Sequence, residues 1–353
     1  MVKVYIGQPL TISHLPVLYP NLGVQKKERS LFMNNVFAHY TEPIFEIVAD
    51  PNDADYFLLP HDYFLLFVRE NEYMQRFAAL AEKYGKKVIV FAHGDPEIDI
   101  PINNSIVFRI ARYGRNKKPN EIIMPVYGED LLQDRPLSIR RKGAKPVVGF
   151  CGWARLGSAR EKLAYYVKDA IWSVKNFLPG NQHLGPERQG MWFRRQAIKI
   201  LEKSSLVESN FKIRESFSGH RTTIKLDPAQ ARAEYIDNML NSDFILTVKG
   251  GGNCSMRFYE ALSLGRIPLF IKTDNVLPFE DIINYREFVV FVNYDEVDLI
   301  DTKLSDFYNA LSDDDFIQKQ KRARETYEKY LRLDSFFRLI PDILNKKASQ
   351  RER

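Results

Sequence analysis

The sequence predicts an α/β protein with two doubly wound, Rossmann-like domains in tandem. Short apolar segments of strand length alternate with amphipathic segments of helical length, which is the pattern of a parallel sheet covered by helices on both faces. A polar and basic stretch at residues 131–145 interrupts this pattern, which then starts again. The chain has 353 residues, 45% of them hydrophobic, and two domains of about 150–200 residues each are therefore expected.

The first domain is predicted at residues 1–135. Residues 26–40 and 72–84 have the apolar spacing of helices, and continuous apolar runs indicate buried strands. The predicted strands are residues 2–6, 44–48, 56–60, 87–91, 105–110 and 122–126. The domain ends at a basic linker that Pro136 and Pro146 bracket, as expected for an exposed domain boundary.

The second domain is predicted at residues 146–315, followed by a helical segment and basic tail at residues 316–353. Its predicted strands are residues 146–151, 211–213, 244–248, 267–271 and 287–292. Its predicted helices are residues 158–174, 186–203 and 229–240, and most of residues 302–345 is helical as well. Tandem domains of this type bind ligands in the cleft between them, at the carboxyl ends of the strands.

Composition narrows the possible environments and partners. The net charge of +6 and the pI near 9.0 suit phosphate-bearing ligands, while the basic residues are too dispersed to favour a nucleic-acid partner. Two cysteines, Cys151 and Cys254, indicate a reducing compartment and are expected to be small buried residues. No signal-peptide core or membrane-spanning run is found, so a soluble cytoplasmic protein is expected. The basic tail at residues 346–353 could make a peripheral membrane contact.

Residues 244–261 are predicted to form a strand, a glycine-rich turn and a helix. Glycines at residues 250–252 allow a ligand to approach the backbone closely, and Asn253 or Ser255 can cap the helix that follows. The N-terminus of a helix favours an anion. Arg257 lies in the first helical turn, where a cation opposes the helix dipole, and this position is explained if Arg257 faces a bound phosphate.

Glu260 lies three residues further along, on the same face of the predicted helix. It is expected to accept hydrogen bonds from ribose hydroxyls. The turn is neither a Walker A loop nor a dinucleotide fingerprint. Read alone, it is equally a tight strand–helix connection in which Arg257 and Glu260 form a surface ion pair.

The continuation of this stretch resembles the exostosin-like glycosyltransferase family, also called glycosyltransferase family 47. The family pattern is Gly-Gly-x-x-Ser-x-Arg-x-x-Glu-Ala, followed by a Gly-x-Ile-Pro strand and a Leu-Pro-Phe segment. The matching residues are Gly251, Gly252, Ser255, Arg257, Glu260, Ala261, Gly265, Ile267, Pro268, Leu277, Pro278, Phe279 and Asp281. Residues 53–60 and 148–152 match other family strands more weakly. Arg266 stands where a cysteine is usual, and Tyr285 stands where a tryptophan is common.

The resemblance implies a GT-B fold, with the acceptor bound mainly by the first domain, the sugar nucleotide by the second, and C-terminal helices packing back. It implies inverting transfer of a hexosyl or pentosyl group from a nucleoside-diphosphate sugar, of UDP or GDP type, to a glycan or polysaccharide hydroxyl. No cofactor or metal is expected. The pair Asp53 and Asp55 resembles the paired aspartates of metal-dependent transferases, but it precedes its strand and suits a turn. Many eukaryotic members are membrane-anchored, so a chain without an anchor resembles a bacterial or viral member in glycan biosynthesis.

The resemblance and the strand ends together suggest residues for each role. The expected donor-binding residues are Gly251, Gly252, Asn253, Ser255, Arg257, Glu260, Arg155 and Arg160. Inverting transfer also needs a general base, for which Asp95 is the first candidate, His93 the second and Asp62 the third. His61, Asp62 and His93 are expected to contact the acceptor. Arg160 could equally be a solvated helix residue, and a histidine at a strand end is often only hydrogen-bonded structure.

Two other function classes remain compatible with the sequence. One is a non-catalytic nucleotide- or glycan-binding protein that has the same fold. The other is a different enzyme that uses the same cleft, such as a nucleotide-sugar epimerase or a phosphorylase.

Overall fold

The computed structural model describes residues 1–23, 31–33, 35–178 and 182–349. The described residues form one sheet of six strands and one of five, and all strand pairs are parallel. The first sheet contains β1 Val2–Tyr5, β2 Phe45–Ile47, β3 Tyr56–Leu58, β4 Lys87–Ala92, β5 Ser105–Arg109 and β6 Glu121–Ile123. The second contains β7 Val147–Trp153, β8 Glu208–Arg214, β9 Phe244–Thr247, β10 Ile267–Lys272 and β11 Val290–Asn293. The predicted α/β architecture with two sheets in tandem is confirmed.

The strand order places a ligand-binding edge in each sheet. The spatial orders are β2-β1-β3-β4-β5-β6 and β11-β10-β9-β7-β8. In each sheet the direction of winding reverses once, between β1 and β3 in the first and between β7 and β9 in the second. Such a reversal opens a crevice outside the carboxyl ends of the two strands. The central strands are the most buried, since every residue of β5 and β9 is buried, whereas the edge strand β8 has no buried residue.

Helices cover both sheets and connect the strands. The helices are α1 Tyr19–Leu22, α2 Tyr63–Arg69, α3 Asn71–Lys83, α4 Ala159–Phe177, α5 Gly190–Leu201, α6 Pro228–Leu240, α7 Met256–Ser263, α8 Ile300–Asn309, α9 Asp313–Thr326 and α10 Leu333–Ser349. A π-helical turn, Tyr327–Leu331, joins the last two. No helix in the described parts of the chain combines the length and the hydropathy of a bilayer-spanning segment.

The helix predicted at residues 26–40 is not formed in its described part. Residues 24–30 and 34 lie outside the described residues, and residues 31–33 and 35–40 form turns. Phe32 has a φ of 65°, which a right-handed helix cannot accommodate. Helix α2 was not predicted, because its apolar sequence follows β3 closely without a clear period.

The C-terminal helices return to the first sheet, as predicted. The ring centroids of Phe336 on α10 and Phe108 on β5 lie 6.3 Å apart, and Arg338 donates a hydrogen bond to the carbonyl oxygen of His39. The predicted boundary at residue 316 falls within the first turn of α9, which begins at Asp313. The end of the predicted basic tail, residues 350–353, lies outside the described residues.

Candidate functional site

The two sheets meet at the carboxyl ends of β4 and β9. The turn between β9 and α7 approaches the loop that follows β4, and Gly252 donates its backbone N–H to the carboxylate of Asp95. The structure therefore brings together the predicted donor turn and the first candidate for the base, although more than 150 residues separate them in the sequence.

The glycines of this turn are required by the approach of Asp95. A Cβ atom on Gly251 would lie 2.6 Å from Asp95 Oδ2, and a Cβ atom on Gly252 would lie 2.9 Å from the Asp95 Cα. A side chain at residue 252 would force the loops apart, whereas one at residue 251 would only have to displace the carboxylate of Asp95. The sequence predicted that a phosphate would approach this backbone, and in the structure the approaching group is a carboxylate of the other domain.

The carboxyl group of Asp95 has the properties of a base candidate. Surrounding protein atoms desolvate it and raise the pKa of Asp95 above its ordinary value, and the hydrogen bond from Gly252 partly offsets this shift. The residue remains exposed as a whole, so it is accessible from solvent. Raised carboxyl pKa values of this kind are common at active sites.

Two arginines converge at the carboxyl end of β7. The guanidinium carbon of Arg257 lies 4.2 Å from the centroid of the Phe150 ring, and that of Arg194 lies 5.8 Å from it. Arg257 donates to the carbonyl oxygen of Cys151 at 2.9 Å, and Arg194 donates to that of Trp153 at 2.6 Å. A Cβ atom on Gly152 would lie 2.7 Å from Arg257 Nη2, so glycine is needed there for the guanidinium to lie against the strand.

This pair of guanidinium groups is electrostatically uncompensated. Within the described chain neither arginine pairs with a carboxylate, and the Nε atoms of both are buried without a hydrogen-bond partner. Burial lowers the pKa of Arg194 to about 9, and the neighbouring charge of Arg257 adds to the effect. Unpaired buried donors cost about 1–3 kcal/mol each, and an anion placed here would remove that cost.

Arg194 was not among the residues that the sequence singled out. It is the fifth residue of α5, beyond the first helical turn, where the helix dipole acts only weakly on a cation. Arg257 was singled out by its position in a first turn, and Arg194 lacks that signal. Three consecutive apolar residues, Met191, Trp192 and Phe193, precede Arg194, and a helical period does not show which sheet edge the helix faces.

Glu260 takes part in a buried ion-pair network. Its carboxylate accepts hydrogen bonds from Arg232 Nη1 at 3.2 Å and from the Tyr235 hydroxyl at 2.6 Å, and Arg232 also pairs with Glu129. The alternative surface pair between Arg257 and Glu260 is therefore not formed. Glu260 is only 4% exposed, and each of its carboxylate oxygens already accepts a hydrogen bond. Its role toward a ribose stays a prediction.

Of the remaining residues predicted to bind the donor, Asn253 holds the shape of the glycine turn. Ser255 occupies the N-cap position of α7, but its side chain makes no capping hydrogen bond. Asn253 is buried, and its Oδ1 atom accepts hydrogen bonds from Thr273 at 2.7 Å and from Asn275 at 2.9 Å. Arg155 and Arg160 are both exposed, and their predicted roles in donor binding stay predictions.

In the first domain, Asp62 positions His93. Asp62 is the N-cap of α2, with Oδ1 accepting from the backbone of Phe64, and Oδ2 lies 3.3 Å from His93 Nδ1. Asp62 Oδ2 also accepts from the backbone N–H of His93 at 2.8 Å, and the Nε2 atom of His93 lies 2.6 Å from the Tyr127 hydroxyl. Burial lowers the pKa of His93, and the charge of Asp62 partly opposes this. His93 is thus a neutral, hydrogen-bonded side chain, and both carboxylate oxygens of Asp62 are engaged.

His61 does not reach the cleft, contrary to the expectation that it contacts the acceptor. It has no exposed surface. Its Nε2 atom accepts from the backbone N–H of Leu10, and its Nδ1 atom lies 3.0 Å from the carbonyl oxygen of Ser13. With both ring nitrogens bound to backbone, His61 fixes the loop after β1 and serves structure.

Lys249 is a buried cation that the sequence analysis did not identify. It is 3% exposed, and its ammonium group donates to the Tyr113 hydroxyl at 2.8 Å and to the carbonyl oxygen of Pro186 at 2.6 Å. Burial lowers the pKa of Lys249 to about 8. The contact with Tyr113 joins the domains close to the glycine turn.

The described residues contain no group of three or more histidine, cysteine, aspartate or glutamate side chains that could hold a metal ion. In the Asp53 and Asp55 pair, Asp55 accepts from the backbone N–H of Lys3 at 2.8 Å. Metal-independent chemistry stays a prediction.

Comparison with known families confirms the predicted resemblance over part of the chain. Residues 186–305 match the Exostosin GT47 domain. This segment contains Arg194, the glycine turn, Arg257 and Glu260, whereas Asp95 and β7 lie outside it.

Curated sequences give the same indication over short segments. A protein of Oryza sativa subsp. japonica named probable glucuronosyltransferase is 37% identical over 89 residues, which are 25% of this chain and 20% of that protein. A protein of Arabidopsis thaliana named probable glycosyltransferase is 37% identical over 71 residues, which are 20% of this chain and 14% of that protein. The two matches thus span only 20% and 14% of the length of these relatives.

Among solved structures, a glycosyltransferase from Rickettsia africae ESF-5 is similar with a TM-score of 0.37 and 12% sequence identity, over 87% of this chain and 86% of that one. The fold assignment follows from the two parallel sheets themselves.

Proposed function

We propose that this chain, which carries an Exostosin GT47 domain at residues 186–305, is a glycosyltransferase. We further propose that it transfers a sugar from a nucleoside diphosphate to a hydroxyl group of a glycan, with inversion and without a metal ion. The observation that carries the proposal is the uncompensated pair Arg194 and Arg257 at the crevice of the second sheet. A diphosphate has the charge and the acceptor oxygens that this pair lacks.

The leaving diphosphate would bind against Arg194 and Arg257. As the bond between the anomeric carbon and the diphosphate oxygen breaks, negative charge grows on that oxygen. Fixed guanidinium groups in a desolvated crevice stabilise such charge without reorganisation. This arrangement supplies the electrostatic work that a divalent cation performs in metal-dependent transferases.

The acceptor hydroxyl would be activated from the first domain by Asp95. Its carboxylate would take the hydroxyl proton as the oxygen attacks the anomeric carbon from the side opposite the diphosphate, which gives inversion. The raised pKa of Asp95 makes it a stronger base than an ordinary aspartate. Asp62 and His93 would act indirectly, by holding the loop that carries Asp95.

Nucleotide affinity tests the diphosphate site. We expect UDP or GDP to bind in the presence of EDTA, and we expect Arg257→Ala and Arg194→Ala each to weaken binding roughly 10- to 100-fold, the usual loss for a charge-assisted hydrogen bond. Isothermal titration calorimetry measures both. Arg76→Ala is the matched control, because Arg76 lies on the exposed face of α3 with 75% of its side chain in solvent.

Failure of every nucleoside diphosphate to bind would contradict the proposed donor. Release of UDP or GDP from the corresponding nucleotide sugar, measured with EDTA present, tests the enzyme itself. Binding without any turnover in the presence of glycan acceptors would favour a non-catalytic nucleotide-binding protein.

A further inference from the structure

Helix α4 exposes a continuous apolar face to solvent. The exposed side chains of this outer face are Leu163, Tyr166, Val167, Ile171, Val174 and Phe177, spaced three and four residues apart over four helical turns. Val174 is 65% exposed and Phe177 is 89% exposed. Single exposed apolar residues are ordinary, but a contiguous apolar stripe marks an interaction surface.

The helix is docked on the protein by its opposite face. Only Tyr165 is buried among the residues of α4, and the neighbouring contacts are polar. Trp172 donates from Nε1 to the carbonyl oxygen of Leu184 at 3.0 Å, and Asp169 pairs with Arg188 at 2.7 Å. An amphipathic helix normally turns its apolar stripe toward the core. In α4 this relation is inverted, and the outer face has no partner among the described residues.

The charges of α4 indicate the chemistry of the missing partner. The helix carries four cations, Arg160, Lys162, Lys168 and Lys175, all of them exposed. Its two acids are held elsewhere: Glu161 accepts from the backbone of Gly157 and Ser158 in the capping box, and Asp169 lies in the ion pair with Arg188. Cations therefore outnumber acids on α4 by four to two, and one of the two acids is neutralised by Arg188.

We propose that α4 docks this protein on an anionic lipid surface. An apolar face containing Leu, Val, Ile, Tyr and Phe side chains, bordered by Lys and Arg, is what a helix lying in the membrane interface requires. The apolar residues enter the boundary between headgroups and acyl chains, and Arg160, Lys162 and Lys168 meet the lipid phosphates. A second copy of this chain is a poorer occupant, because two α4 helices packed on these faces would bring lysines against lysines.

Vesicle sedimentation tests this proposal with the full chain. We expect binding to phosphatidylcholine vesicles that contain about 30 mol% phosphatidylglycerol, much weaker binding to pure phosphatidylcholine, and loss of binding at about 0.5 M NaCl, where the screening length is short. Val174→Asp should weaken binding to the anionic vesicles by roughly tenfold or more. Val68→Asp is the matched control, since Val68 is 78% exposed on α2 of the other domain, and it should bind like the unmodified chain.

The proposal would be overturned by no binding to anionic vesicles or by equal binding of the Val174→Asp and Val68→Asp variants. A concentration-dependent dimer that Val174→Asp abolishes, seen by analytical ultracentrifugation without lipid, would also overturn it and would assign the face to a second copy. Because Val174 lies in solvent, both variants should keep the thermal midpoint of the unmodified chain. A lower midpoint for Val174→Asp alone would show that the face is packed against protein, which also contradicts the proposal.

Discussion

At the scale of single residues, the candidate site separates its charges between the domains. The second domain contributes the guanidinium groups of Arg194 and Arg257, which have no carboxylate partner in the described residues. The first domain contributes the carboxylate of Asp95, which lies against the glycine turn. The proposed transfer needs cationic stabilisation for the leaving group and a base for the nucleophile, and this separation would supply one of them from each side.

Asp95→Asn tests the role of the base. We expect kcat to fall by about 10²- to 10⁴-fold, the usual contribution of a general base, while the affinity for nucleotide does not weaken. In the unmodified enzyme the rate should rise with pH through the raised pKa of Asp95, because the base acts only when deprotonated, and the residual rate of the variant should lack this rise.

Steady-state rates between pH 4 and 8, with calorimetric titration of nucleotide, check both expectations for Asp95. His93→Gln is the comparison variant, since His93 is held by Asp62 and Tyr127. Loss of the pH dependence in His93→Gln but not in Asp95→Asn would transfer the role of the base to His93.

At the scale of elements, the turn between β9 and α7 packs closely against Asp95 of the first domain. Its position follows from β9, which is buried at every residue, and its shape follows from Asn253, which is tied to Thr273 and Asn275. The three glycines are not equivalent, because Gly251 and Gly252 face Asp95 whereas a Cβ atom on Gly250 would meet only the Cys254 carbonyl oxygen, at 3.9 Å.

Gly252→Ala should therefore destabilise the protein, whereas Gly250→Ala should be nearly neutral. The new methyl group at residue 252 would meet backbone of the other domain at 2.9 Å, and overpacking of this kind costs about 1–3 kcal/mol. The expected consequence is a decrease of several degrees in the thermal midpoint, measured by differential scanning calorimetry. Equal midpoints for the two variants would show that the domains do not meet at this turn in solution.

At the scale of the whole molecule, buried and partly buried charges join the two domains. Lys249 of the second domain donates to Tyr113 of the first, and Arg115 of the first domain pairs with Asp274 and Glu187. Burying the Lys249 ammonium group without a carboxylate is costly, which is why its pKa falls from 10.5 to about 8.

The contribution of Lys249 to stability should increase between about pH 8 and pH 10.5. In this range the unfolded chain binds a proton at Lys249 that the folded chain does not, so the free energy of unfolding rises with pH. The shift from 10.5 to about 8 corresponds to roughly 3 kcal/mol. Below pH 8 the lysine is charged in both states and contributes no pH dependence.

Urea unfolding at pH 7.5 and 9.5, compared between the unmodified chain and Lys249→Met, isolates the Lys249 contribution. Other groups titrate equally in both proteins, so the difference between them reports Lys249 alone. Identical changes with pH in the two proteins would show that the ammonium group is solvated.

The sequence by itself determined the strands, most helices, the glycine turn, the position of Arg257 and the resemblance to the exostosin-like family. These features are local: they depend on apolar period, glycine spacing and residues within a few positions of each other. For the same reason the sequence placed Asp95 and His93 at the end of β4 without showing what they contact.

Only the tertiary structure decided which of these side chains meet and which are buried. Asp95 contacts Gly252, and Arg194 lies beside Arg257 against the same aromatic ring. Glu260 pairs with Arg232. His61 is fully buried and does not reach the cleft. Lys249 and Tyr113 are separated by 136 positions, and no local pattern relates them. The physical reason is that charge compensation and burial depend on the packing of distant segments, whereas the periodicity of a sequence records only which face of an element is apolar.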